Sequence, residues 1–289
     1  MPDFDGRELL QCDFIKLNLL WKNLSMHPML NIAIRAARNA GSLIMRSLQH
    51  VEHLEVTTKG RNDYVSDVDH LVEQEIITVI KKAYPDHAIM AEESGNTGEN
   101  DTVWIIDPID GTTNYLHGLP HYCVSIAVRV RGRVEHAVIY DPRRDELFTA
   151  SRGEGAKLND HRLRVTKRRE LDGALIATGF PFKYPQHHER YLASFSAVFP
   201  HVADIRRAGS AALDLAYVAA GRLDGYWEIG LENWDLAAGL LLVEEAGGLV
   251  TDFAGEEKLF DKGNVVAGGF GVHKLLLEKL QPHLQEPLK

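Results

Sequence analysis

The chain has 289 residues, 45% of them hydrophobic and 25% charged, enough to bury a sizeable core in one large domain or two moderate subdomains. Its 32 basic against 41 acidic residues leave a net charge of −9, which argues against a general nucleic-acid binder but leaves room for a local basic patch. The two cysteines, Cys12 and Cys123, lack zinc or disulfide-framework spacing, and no stretch approaches the ~18 consecutive apolar residues of a membrane span, so a reducing, cytoplasmic setting is expected.

Residues 1–25 open with an acidic MPDFDGRE, and LNLLW is too short and too late for a secretory signal. Met26 directly precedes the first strong helical pattern, so 1–25 are expected to be a disordered N-terminal extension. From Pro28, apolar residues at Leu30, Ala33, Ile34, Ala37, Ala40, Ile44 and Leu48 follow the helical period. The charged turn KGRND (59–63) leads to a second helix over 67–84, capped by Ser66 or Asp67 and stopped by Pro85. Five β-rich runs follow: HAIMAEE, TVWIID, YCVSIAVRV, VEHAVIYD and ELFTAS, with hairpin turns at RGR (131–133) and DPRRD (141–145). After about residue 165 the texture becomes α/β. ALIATG reads as a strand, 187–199 as a helix, 210–221 as a small-residue helix ended by glycine, DGYWEIG as a strand and 234–247 as a buried helix. Two short strands and a helix over 272–284 close the chain. The pattern predicts helices and a mostly antiparallel sheet first, then an α/β half, packed as layers.

Four acidic clusters fall at the ends of these elements: Asp63, Asp67 and Asp69; Glu92 and Glu93; Asp107 and Asp110; and Asp235. Each alone reads as a helix cap, a solvated loop or an acid favoured by a helix N-terminus. Together they suggest one site, because sites in layered α/β proteins form where strands and helices end. Oxygen ligands without His or Cys suit a hard cation such as Mg²⁺ rather than zinc. In WIIDPIDGTTNY (104–115), one aspartate can bridge two ions while the other ligates one. Pro108 restrains the backbone between them and leaves the Ile109 carbonyl free to ligate. Gly111-Thr112-Thr113 reads as a phosphate cradle at a helix start. Metal ions beside such a cradle point to phosphoryl transfer to water, with Thr112 and Asp69 as the hydroxyl–carboxylate pair that orients and deprotonates that water.

With AEE (91–93), KGRNDYVSDVD (59–69) and ENWDLAAG (232–239), this stretch resembles the inositol monophosphatase family, most closely its bacterial members of the SuhB type. The likeness runs from about Met26 to the C-terminus, and DPIDGT followed by WDLAAG is specific to the lithium-sensitive sugar-phosphatase superfamily. Ser66 stands where members often have threonine, and Tyr115 where they often have Phe. The resemblance implies a layered αβαβα sandwich of mixed α+β and α/β character, usually a homodimer. Residues 26–166 would carry most metal ligands, and 167–289 would contribute Asp235 and the substrate pocket.

It also implies two or three Mg²⁺ per active site. Glu92, Asp107 and the Ile109 carbonyl would hold the first, and Asp107, Asp110 and Asp235 the second. Asp69, Thr112 and Glu92 would be catalytic, with Lys59 and Glu93 in support. Gly209, Ser210, Ala211 and Glu228 would hold sugar hydroxyls, alongside Asp110, Gly111, Thr112 and Asp235. The implied reaction is hydrolysis of myo-inositol 1-phosphate and related small phosphate monoesters. Sister enzymes acting on fructose 1,6-bisphosphate, 3′-phosphoadenosine 5′-phosphate or histidinol phosphate share the metal motif. Bacterial members of this type also serve in ribosomal transcription antitermination, with Nus factors, RNA polymerase and leader RNA as partners; a scaffold role there need not use catalysis.

The remaining signals have plain readings. The fourteen histidines lack paired ligand spacing, Cys123 reads as a packed thiol, and GGFG (268–271) as a turn. Arg129, Arg131, Arg133, Arg143, Arg144, Arg206 and Arg207 read as solvated charges, and on their own give no RNA surface.

Overall fold

The computed structural model describes residues 26–48, 56–60, 63–257, 259–284 and 288, with the backbone alone for 56–60, 63–65 and 261. The expected extension over 1–25 lies outside the described residues. Helix α1 (Pro28–Ser47) starts on Pro28, with His27 Nδ1 accepting from Met29 N–H at 3.2 Å, and buries an alanine-rich stripe that ends at Ile44. A hairpin of β1 (Val56–Gly60) and β2 (Asp63–Ser66) leads into α2 (Asp67–Ala83).

Strands β3 (Ala88–Ala91), β4 (Gly95–Thr97), β5 (Thr102–Asp110), β6 (Cys123–Val130), β7 (Arg133–Asp141), β8 (Glu146–Ser151), β9 (Gly155–Leu158) and β10 (His161–Arg162) form one sheet, in the order β10-β9-β8-β7-β6-β5-β3-β4. It is antiparallel except for β3 beside β5. A short helix, α3 (Thr112–Leu116), separates β5 from β6. In the second half β11 (Leu175–Thr178), β12 (Asp204–Arg206), β13 (Gly225–Glu228), β14 (Leu249–Thr251) and β15 (Val265–Gly268) make a mixed sheet in the order β12-β11-β13-β15-β14. Its helices are α4 (His188–Val198), α5 (Ala211–Ala219), α6 (Asn233–Glu245), α7 (Leu259–Lys262) and α8 (Phe270–Leu280).

Strand alternation sets the layers. Trp104 and Ile106 of β5 point into a core shared with α1 and α2, whereas Ile105 points to the opposite face, into a core shared with α5 and α6. That second core continues to Tyr226, Val265 and Ala267 of the smaller sheet, whose far face packs through Trp227 and Val266 against α4 and α8. The order is therefore helices, large sheet, helices, small sheet, helices: a five-layered αβαβα sandwich. The small-residue sequence of α5 and α6 fits this position, since both helices are covered by sheets on two sides and are apolar nearly all round.

Some boundaries differ from expectation. Helix α8 begins at Phe270, two residues early, because Gly269 accepts from His273 N–H at 2.8 Å, and it ends at Leu280. The first two residues of GGFG close β15 and cap α8, and the last two lie in its first turn. Strands β4, β9, β10 and β12 are too short and too polar to show a period of two.

Candidate active site

Three acids of the predicted constellation, Asp69, Asp107 and Asp235, lie near the start or end of an element and take a bond from a neighbouring backbone N–H. Strand β5 slips register against β6 between Asp107 and Asp110: Asp107 faces Ser125 and Asp110 faces Cys123. Pro108, which has no N–H to give to the ladder, lies in this bulge, and the Ile109 N–H turns back to Asp107 Oδ1 at 3.0 Å. Asp69 and Asp235 share one device. Each is the third residue of its helix and accepts from the N–H of the capping residue, Ser66 N at 2.8 Å for Asp69 and Glu232 N at 2.8 Å for Asp235. The bond aims both carboxylates back along the helix start.

Asp107, Asp110 and Asp235 each offer an oxygen within 4.8 Å of the other two. Glu92, the residue after β3, completes the group and lies in hydrogen-bond contact with Asp107. Burial, then the charges of Glu92, Asp110 and Asp235, hold the Asp107 carboxyl well above the usual carboxylate range. Burial and Asp110 do the same to Asp235. Asp110 is pushed up to about 6 by burial, with hydrogen bonds from Ser210 Oγ (2.6 Å) and Ala212 N–H (2.7 Å) opposing the rise. Oxygens bound to one hard cation lie up to about 4–5 Å apart, so this all-oxygen donor set fits a cation that would relieve the repulsion.

These acids line a cavity of about 450 Å³. Thr112 lines it too, its hydroxyl 3.3 Å from Asp69 Oδ1 and 3.0 Å from the Ile109 carbonyl. Gly111 before it has φ +99°, and a Cβ there would stand 3.0 Å from the His121 carbonyl, so the turn requires glycine. Gly209, Ser210, Ala211 and Glu228 line the cavity as well, with Ser210 directly against Asp110. Glu228 accepts from the Tyr226 hydroxyl, and burial pushes its carboxyl up to about 7. A Cβ on Gly179 would stand 1.9 Å from the Glu228 carboxyl carbon, so only glycine leaves that carboxyl its place.

Lys59 lies on β1 and its side chain is outside the described residues, as is that of Asp63. Glu93 is half-buried beside the site, and its N–H, with that of Ser94, donates to the Glu73 carboxylate at 2.8 and 2.9 Å. Glu73 is one of the residues that sequence reasoning missed. Its signal is a charge set between Val72 and Ile76 on the buried stripe of α2. Asn114 is another: its Nδ2 donates to the carbonyls of His121 (2.7 Å) and Ala208 (2.9 Å), tying α3 to the loop that carries Gly209.

Residues 25–287 match the sequence model of the inositol monophosphatase family. The chain belongs to that family. It is 55% identical over 270 residues to the Nus factor SuhB of Pseudomonas aeruginosa, covering 91% of this chain and 100% of that one. The crystal structure of the extragenic suppressor protein SuhB from Bartonella henselae is similar at a TM-score of 0.87 and 45% identity, over 89% of this chain and 100% of that one. SaIMPase-II of Staphylococcus aureus, solved with inositol monophosphate bound, is similar at a TM-score of 0.74 and 27% identity, over 88% and 95%. As a member of the inositol monophosphatase family the chain is a phosphatase, with an acidic cluster that can hold a metal ion.

Proposed function

We propose that the chain hydrolyses myo-inositol 1-phosphate and related small phosphate monoesters with Mg²⁺, two or three ions per site. The observation that carries this reading is the convergence of Asp107, Asp110 and Asp235, from β5 and the start of α6, within 4.8 Å in the lining of the cavity. Asp107, Asp110 and Asp235, with Glu92 and the Ile109 carbonyl, would hold the ions. When bound, magnesium supplies Lewis acidity, easing deprotonation of water and offsetting charge on the phosphoryl oxygens. The residues do the rest. Asp69 and Thr112 orient the water and take its proton, Gly111 and Thr112 face the phosphoryl group, and Glu228 with Gly209, Ser210 and Ala211 faces the alcohol. Lys59 and Glu93 would support the acids.

Phosphate release from myo-inositol 1-phosphate, with and without Mg²⁺, tests the assignment. Asp110→Asn is expected to lower kcat/KM by at least about 10³, the loss of several kcal/mol of transition-state stabilisation. Wild-type turnover by that variant would overturn the site. Comparison of kcat/KM with fructose 1,6-bisphosphate, 3′-phosphoadenosine 5′-phosphate and histidinol phosphate decides among the sister substrates. The inositol monophosphate found in SaIMPase-II favours the first reading.

A second role, as a Nus factor in transcription, is supported by the name of a 55% identical relative that the chain covers in full. Its working form would be a cytoplasmic homodimer meeting RNA polymerase, Nus factors and ribosomal leader RNA. No helix among the described residues is long and apolar enough to cross a membrane. Capture of those partners by Asp110→Asn protein as well as by wild type would show that this role does not need catalysis.

A further inference from the structure

Three charged side chains that line the cavity, Lys183, Arg207 and Asp214, have no task in the chemistry above, and of these only Asp214 is an acid. Asp214 is the only charged residue of SAALDLAYVAAG (210–221), on a helix that is apolar nearly all round. It is 2% exposed and lines the same cavity as Asp107, Asp110 and Asp235. Among the described residues none donates a hydrogen bond to its carboxylate. The Tyr226 hydroxyl, which feels the Asp214 charge, is committed to Glu228. Arg207, which lines the same cavity, acts on Asp214 only through its charge; a buried carboxyl without a hydrogen-bond donor destabilises a fold, a cost that a leucine would not carry. Such a group is retained when something that enters the cavity completes its hydrogen bonds.

We infer that Asp214 is a specificity-determining residue: with Glu228 it forms a two-carboxyl wall that accepts hydroxyl hydrogens from a vicinal diol on the alcohol part of a phosphate monoester. The inference rests on the polyol-phosphate reading above. Asp214 arrives from α5 and Glu228 from the end of β13, so two separate elements present acceptors to one ligand. Gly179 keeps the Glu228 carboxyl in place. An ester without hydroxyls would leave Asp214 as unpartnered as it is in the free protein.

The test compares wild type, Asp214→Leu and Asp214→Asn, each with Mg²⁺, on myo-inositol 1-phosphate and on phenyl phosphate, which has no free hydroxyl on its alcohol part. Asp214→Leu is expected to lower kcat/KM for the inositol ester by roughly 10–100-fold, mainly through KM, and to change phenyl phosphate by less than about 3-fold. Asp214→Asn keeps an acceptor oxygen and should stay within about 5-fold of wild type on both. The Tm of Asp214→Leu should match or exceed that of wild type by a few degrees, the reverse of what a structural role would give. An equal fall on both esters, or none on the inositol ester while wild type turns it over, overturns the inference alone. Wild-type turnover of phenyl phosphate without turnover of the inositol ester overturns the polyol reading and the inference with it.

Discussion

Thr112 has one hydroxyl hydrogen and two acceptors within reach, Asp69 Oδ1 at 3.3 Å and the Ile109 carbonyl at 3.0 Å. Asp69 is fixed from its other side, where Oδ2 accepts from both Ser66 N (2.8 Å) and Ser66 Oγ (2.7 Å), so it cannot turn away without breaking two bonds. On the proposed reading a cation would engage the Ile109 carbonyl, and the Thr112 hydrogen would then go to Asp69, leaving its lone pairs to a water. Thr112→Val should therefore lower kcat by about 10²–10⁴ with little change in Tm, while Thr112→Ser keeps kcat within about 10-fold. Steady-state kinetics at saturating Mg²⁺ decide the matter; a valine variant that kept more than about a tenth of wild-type kcat would remove Thr112 from the chemistry. What makes Asp69 and Thr112 legible in the sequence is their place at element starts, where an acid or hydroxyl has no packing reason to be. Asp214 and Glu73 are harder to see, because each lies inside a helix and only its setting in an apolar stripe marks it.

Helix α5 couples the two sheets through its first turn. Ser210 caps it, accepting from Leu213 N–H at 3.4 Å, and the same hydroxyl donates to Asp110 Oδ2 at 2.6 Å. The Ala212 N–H adds a second donor to that oxygen, so the positive end of α5 faces an acid at the end of β5. Removing the hydroxyl with Ser210→Ala should cost about 1–2 kcal/mol of stability, as an N-cap deletion does, and raise the Mg²⁺ concentration for half-maximal activity several-fold. Ser210→Thr keeps the hydroxyl and should restore both. A change in Tm without any change in the Mg²⁺ requirement would make Ser210 a cap and nothing more. The helix itself is legible from its apolar run and terminal glycine, as are α1, α2, α4 and α6 and the long strands β5 to β8. Periodicity is silent on the pairings that build the site. The parallel contact of β3 with β5, which sets Glu92 against Asp107, and the Ser210–Asp110 contact across 100 residues are products of tertiary packing.

Across the whole molecule, the fold concentrates acids that repel one another where its layers meet, and this makes stability depend jointly on pH and metal. In the metal-free protein Asp110 titrates near 6, above an ordinary aspartate near 4, and Asp107 and Asp235 are also raised. The folded state thus holds these protons more tightly than the unfolded chain. Their contribution is fully present below about pH 4 and is lost as pH rises through 6 and beyond. A bound divalent cation replaces the lost protons, and it competes with them at low pH. The expected outcome is that EDTA-treated protein loses Tm between pH 5 and 8, and that Mg²⁺ at a few millimolar raises Tm clearly at pH 8 and little at pH 5. Glu228, raised to about 7, steepens the same metal-free slope. It lines the cavity but stands outside the Asp107, Asp110 and Asp235 cluster, so that part of the loss should persist when Mg²⁺ is present. Thermal melts over this pH range, repeated with Asp110→Asn, separate the two contributions: the variant should have a shallower metal-free slope and a smaller Mg²⁺ shift. A Mg²⁺ shift of equal size at both pH values would mean that the ion binds somewhere other than on these carboxylates.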